Sequence, residues 1–149
     1  MKKVLFTLTL LLVPAMIMAE SFSTLWKKVT EARQKDLPKT EISLLNNIIA
    51  KATAEDNYGH LIKAQLEKYH ACRLFNDEKV ASTIEEIKQK EAETQSKALQ
   101  AVYNCALGLI YQDLSQSNID PDKLSRPYFQ KAMANPDELA RHKTTELQP

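Results

Sequence analysis

Apolar residues recur at intervals of three and four along most of this chain, and strand-like alternation is absent. The stretch DLPKTEISLLNNIIAKATAEDNYGHLIKA, residues 36–64, shows the pattern in miniature: two helical runs meet at a charged turn. Phe22, Leu25, Trp26, Val29 and Ala32 predict a first helix over about Ser21 to Lys35, with Glu31 and Lys35 paired one turn apart on its polar side. Asp36-Leu37-Pro38 turns the chain, and Pro38 suits a first-turn position, where its missing N–H costs nothing. A second helix to about Glu55 turns Ile42, Leu45, Ile48, Ile49 and Ala52 inward and Ser43, Asn46, Asn47 and Lys51 outward. A third, about Tyr58 to Leu74, buries Tyr58, Leu61, Ile62, Tyr69 and Cys72.

The remaining helices are read in the same way. Asn76-Asp77 caps a fourth helix to about Lys90, with Glu86 and Lys90 paired. Its stripe of Val80, Ile84 and Ile87 is thin, as for a docking edge or a mobile element. Thr94 caps a fifth, strongly apolar helix over about Gln95 to Leu114, and Gly108 inside it implies close approach by a neighbour. SQSNIDPDKLSRP reads as a loop. A sixth helix follows over about Ser125 to Ala134, with Pro127 in its first turn, and a short seventh over about Pro136 to Arg141. Hairpins starting near 21, 58 and 95 repeat at about 37 residues, close to the tetratricopeptide period, although that repeat's side-chain signature does not recur. The predicted fold is all-α: stacked antiparallel helical hairpins in a tetratricopeptide-like array of six to seven helices. One domain covers 20–143, and 144–149 form a frayed tail.

The N-terminus changes the picture. Lys2 and Lys3 precede the apolar run Val4 to Val13, Pro14 breaks it, and Ile17-Met18-Ala19 fits a signal peptidase site. Residues 1–19 therefore read as a signal peptide, and the apolar run is too short to span a membrane comfortably. The expected location is exported, periplasmic or associated with the cell envelope, with no transmembrane segment after cleavage. The formal charge of +1 is spread among interspersed acids and bases, which gives no electrostatic reason to expect nucleic acid.

Candidate chemistry is sparse. Cys72 and Cys105 could join in a disulfide in an oxidising compartment, or serve as small hydrophobes on their helix stripes. His70 and Cys72 lie on different helix faces, and no second pair completes a metal site. His60 reads as a solvated residue near a helix start. Glu85, Glu86, Glu91 and Glu93 sit among lysines on a polar face, unlike a buried acid–base pair. Cys105, within AVYNCALGLIY, lies in a setting that suppresses the thiolate. No phosphate loop, serine elbow or HExxH occurs. The reading is of a chain without enzymatic activity or cofactor. Trp26, Tyr69 and Tyr103 belong to the core pattern. Tyr111 lies off the main stripe of its helix and is the candidate for an interaction surface.

Four stretches carry a family resemblance: LWKKV (25–29), KDLPKTEISLLNNIIAKA (35–52), NYGHLIKAQL (57–66) and YFQKAMANPDEL (128–139). With the leader before them, they resemble the N-terminal segment of the large exported alpha-2-macroglobulin-like proteins of Bacteroidetes. The resemblance implies a helical domain of the kind that precedes many β-sandwich domains in protease traps with a bait region and often a thioester. The thioester motif Cys-Gly-Glu-Gln is missing: Arg-Leu-Phe follows Cys72 and Ala-Leu-Gly follows Cys105. No β-sandwich sequence lies within the 149 residues, so no trapping residue carries over. The implied function is a non-enzymatic scaffold or protein-interaction module, its partner a protein, with macroglobulin-like domains in cis or trans as the candidate the resemblance offers. The alternative is a stand-alone periplasmic adaptor that binds a peptide or protein.

Overall fold

The computed structural model describes residues 20–75, 77–114 and 121–141. The proposed leader (1–19), the Asn76 cap, part of the expected loop, His142 and the tail lie outside them. Among the described residues there are seven helices and no strand: α1 (Phe22–Gln34), α2 (Pro38–Ala54), α3 (Tyr58–Phe75), α4 (Asp77–Glu93), α5 (Lys97–Leu114), α6 (Pro121–Ala132) and α7 (Pro136–Arg141). None is long and apolar enough to cross a membrane.

Local chemistry sets the first boundaries. Ser21 caps α1, its Oγ accepting from Thr24 N–H at 3.1 Å. α1 and α2 end in the same way. After α1, Leu37 N–H donates to Ala32 O at 2.9 Å and Asp36 N–H to Arg33 O at 3.1 Å. After α2, Asn57 N–H donates to Ala52 O at 2.9 Å and Asp56 N–H to Thr53 O at 3.5 Å. These are Schellman closures, and the left-handed position they need is filled by Asp36 (φ 52°) and Asp56 (φ 51°) rather than glycine. Pro38 then opens α2 in its first turn, as the sequence predicts.

Consecutive helices from α1 to α6 pack against one another, and α3 also packs against α5 across the intervening α4. α1 reaches α3 as well, through Trp26–His60 and Arg33–Glu67 bonds. The array is thus a stack of antiparallel hairpins, with α1, α3 and α5 side by side in one layer. α3 is its central helix: Leu61, Ala64, Gln65, Lys68, Tyr69, Ala71 and Cys72 are all buried. The core joins Leu25 and Val29 of α1, Leu45 and Ile48 of α2, and Val102, Leu107 and Ile110 of α5. Burying each such side chain contributes about 1.5–3 kcal/mol. All three stripe residues of α4, Val80, Ile84 and Ile87, are buried too.

Several expectations change. Helix α6 begins at Pro121, four residues before the predicted start, because Pro121 occupies its first position and Asp122 suits the positive helix end. Pro127 therefore sits inside the helix, not in its first turn. Ser96, not Thr94, caps α5, its Oγ accepting from Leu99 N–H at 3.3 Å. Thr94 Oγ1 accepts instead from Ser96 N–H at 3.2 Å. Lys51, expected outside, is buried with its ammonium 2.5 Å from Glu55 and above the Phe22 ring. Its aliphatic stem covers apolar surface while the charge finds a carboxylate. Gly108 behaves as predicted: a Cβ there would lie 2.6 Å from Phe129 Cε1 of α6.

Candidate interaction groove

Several titratable side chains join helices to one another. Between α1 and α3, Trp26 Nε1 donates to His60 Nδ1 at 3.0 Å, and Phe22 stacks on the imidazole at a centroid distance of 4.1 Å. His60 is therefore half-buried in a joint and not the solvated residue expected. Arg33 bridges Glu41 of α2 and Glu67 of α3, at 2.6 Å to each. The Glu41 hydrogen bond is the leading cause that raises the guanidinium above its ordinary range. Between α3 and α5, Tyr69 Oη donates to Asp113 Oδ2 at 2.7 Å, and Arg73 pairs with the same oxygen. Burial, then the Asp113 bond, pushes Tyr69 up to about 12. The Tyr69 bond in turn holds Asp113 below the usual carboxylate range.

Cys72 and Cys105 stand as free thiols on α3 and α5, and the disulfide raised by the sequence is not formed. Cys72 is buried and accepts from Thr83 Oγ1 at 3.6 Å. Burial pushes the Cys105 thiol up, away from the thiolate a nucleophile requires. Among the described residues, no group of three or more His, Cys, Asp or Glu side chains is placed to hold a metal ion.

Tyr111, the sequence candidate for an interaction surface, is half-buried and stacks on Tyr128 of α6, with centroids 5.0 Å apart and planes 9° apart. Lys88 Nζ lies 5.8 Å from the Tyr111 ring and Lys131 Nζ 5.9 Å from that of Tyr128. The pair therefore clasps α5 to α6, with cations over both rings.

What remains open is a groove where α2 and α4 flank α3. Its volume is about 420 Å³, within the range of ligand sites. The α2 side presents Asn46, Ile49, Ala50, Thr53 and Ala54; the other side presents Lys68, Glu86 and Lys90. Spacing explains this. Asn46, Ala50, Thr53 and Ala54 fall three or four apart and share a helix face, beside the buried Ile49. Lys68 lies on the buried stripe of α3, its side chain only 8 % exposed, and reaches Glu86 Oε2 at 2.6 Å. Glu86, expected to pair with Lys90 one turn on, thus bonds across helices. Lys90 is half-buried and has no ion-pair partner among the described residues. The sequence held one overlooked signal: Lys68 follows Leu61, Ala64 and Gln65 at helical spacing, so a cation stands where an apolar residue belongs.

Two smaller features compete with it. An apolar cleft of about 370 Å³ lies beside Phe129 and Met133 of α6 and its following turn. A polar notch of about 190 Å³ lies by Asn104. The cleft is built on α6 and its following turn alone, and the notch, although α4, α5 and α6 meet there around Glu91, Lys97 and Lys131, has less than half the groove's volume.

No family model, no curated protein and no solved structure matches the chain. The class therefore rests on the molecule itself: an all-α array of stacked helical hairpins.

Proposed function

We propose that this chain is a non-enzymatic, exported helical scaffold or protein-interaction module, related to the leading helical domain of bacterial alpha-2-macroglobulin-like proteins. The observation that carries the interaction part is the groove between α2 and α4. The groove keeps Lys90 without an ion-pair partner among the described residues and an uncommitted Asn46 amide beside Ile49 and Ala50. Such a mixture of apolar floor and sparse polar anchors is what peptide and protein ligands use. Export rests on the leader-like sequence of residues 1–19, and the macroglobulin link on the four stretches quoted above.

The test is site-specific photo-crosslinking in the source cells, with a benzoyl-phenylalanine at Ala50 in the groove and at the exposed Lys39 as control. The module reading expects a protein adduct at Ala50 that the Lys39 position does not give. A macroglobulin-like partner in the adduct supports the family link, and an unrelated envelope protein supports the stand-alone adaptor. Equal adducts at both positions, or none, overturn the groove as the working surface.

A further inference from the structure

The groove has more to say about its occupant than that it is a protein. We infer that it binds an extended acidic peptide segment through side-chain carboxylates, with Lys90 and Lys68 as the anchors; this rests on the module reading above.

The first argument is a count of donors and acceptors. Among the described residues Glu86 is the only carboxylate lining the groove, and it is already engaged by Lys68 at 2.6 Å. An ammonium has three N–H donors, and Glu86 takes one from Lys68. Lys90 has its full set free, with no partner among the described residues. Thr53 Oγ1 is turned away, donating to Ile49 O at 2.8 Å. The lining thus carries two cations against one anion and a surplus of donors. A ligand rich in acceptors and negative charge complements it, and a basic one meets only the carboxylate already in use.

The second argument is shape. The α2 wall runs from Asn46 to Ala54, which at the helical rise is about 12 Å. An extended chain covers that length in about three or four residues. Asn46 is exposed, carries no side-chain hydrogen bond among the described residues, and can meet both a backbone C=O and an N–H. Ala50 and Ala54, beside the buried Ile49, offer a floor of short side chains against which a peptide backbone can lie closely. The half-buried setting of Lys90 shields its charge from screening more than a surface lysine's.

The experiment measures fluorescence anisotropy of four labelled hexapeptides on the purified full chain. One alternates Glu and Ala with a blocked C-terminus; the others replace Glu by Gln, replace Glu by Lys, or carry Gln with a free C-terminal carboxylate. The expected result is binding of the Glu peptide at least tenfold tighter than the Gln and Lys peptides, weakening as salt rises. K90E is expected to lower that affinity at least tenfold and K90Q severalfold, with K39E leaving it unchanged and circular dichroism intact in all three. Equal affinity for the Glu and Gln peptides overturns the inference, as does an unaffected K90Q. Tighter binding of the free-carboxylate Gln peptide also overturns it, making the anchor a chain terminus. A groove adduct at Ala50 without any acidic preference would leave the module reading standing and sink this inference alone.

Discussion

Gly108→Ala tests the tightest helix crossing in the molecule. In an isolated helix interior the change stabilises by about 1 kcal/mol, because alanine restricts the unfolded backbone and shields the helix. In this fold the added Cβ lies 2.6, 2.7 and 2.9 Å from Phe129 Cε1, Cδ1 and Cζ. Real contacts do not come that close, so the ring or the whole of α6 must shift, and such overpacking costs about 1–3 kcal/mol. The clash is the larger effect, and the net expectation is destabilisation by about 1 kcal/mol, a loss of roughly 3–6 °C in Tm for a domain of this size. The decisive measurement is the same substitution in a Phe129→Ala background, followed by urea unfolding at 222 nm. With the ring gone, Gly108→Ala is expected to reverse sign and stabilise by about 1 kcal/mol. An equal effect in both backgrounds, or stabilisation in the wild type, would refute the claim that this glycine exists to admit Phe129.

Other expectations follow from single residues. Gln65 is 1 % exposed and its Nε2 lacks a hydrogen-bond partner among the described residues; Gln65→Leu should remove that desolvation cost and raise stability by about 1 kcal/mol in urea titrations, and a loss would show that the amide is satisfied in solution. Asp36 holds φ 52° with an exposed side chain, so Asp36→Gly should stabilise by about 0.5–1 kcal/mol, read as a higher Tm; no gain would argue against the Schellman closure. Tyr69, raised from 10 to about 12, contributes stability that is fully present below pH 10 and is lost as pH climbs toward 12, about 2–3 kcal/mol in all; Tyr69→Phe should flatten this alkaline fall in a urea-midpoint profile. Asp113 has the opposite sign: its lowered folded value gives stability above the ordinary carboxylate range that fades as pH falls through the folded value, and Asp113→Asn should remove that acid-side slope.

Much of the fold was legible because helical periodicity is a local property. Leu25, Val29, Leu45, Ile48, Leu61 and Ile110 sit on stripes that any helix of this sequence must present, and burying them all requires hairpin packing. Boundaries were legible where a cap or proline speaks, as at Pro38, and were misplaced where two signals compete, as at Pro121 and Pro127. The groove was less legible. Asn46 reads as an outward polar residue and Lys90 as half of an intrahelical pair, and both readings are reasonable one helix at a time.

The sequence by itself determined that this protein is helical, where most of its stripes lie, and that Gly108 faces a close neighbour. Those outcomes depend on spacing along one chain segment. Tertiary structure alone decided that His60 meets Trp26, that Tyr111 stacks on Tyr128, and that Glu86 pairs with Lys68 and leaves Lys90 without an ion-pair partner among the described residues. Each of these is a choice among several partners within reach of a flexible or amphipathic side chain. Only the relative placement of whole helices, set by burial of their apolar stripes, brings one partner to bonding distance and removes the rest.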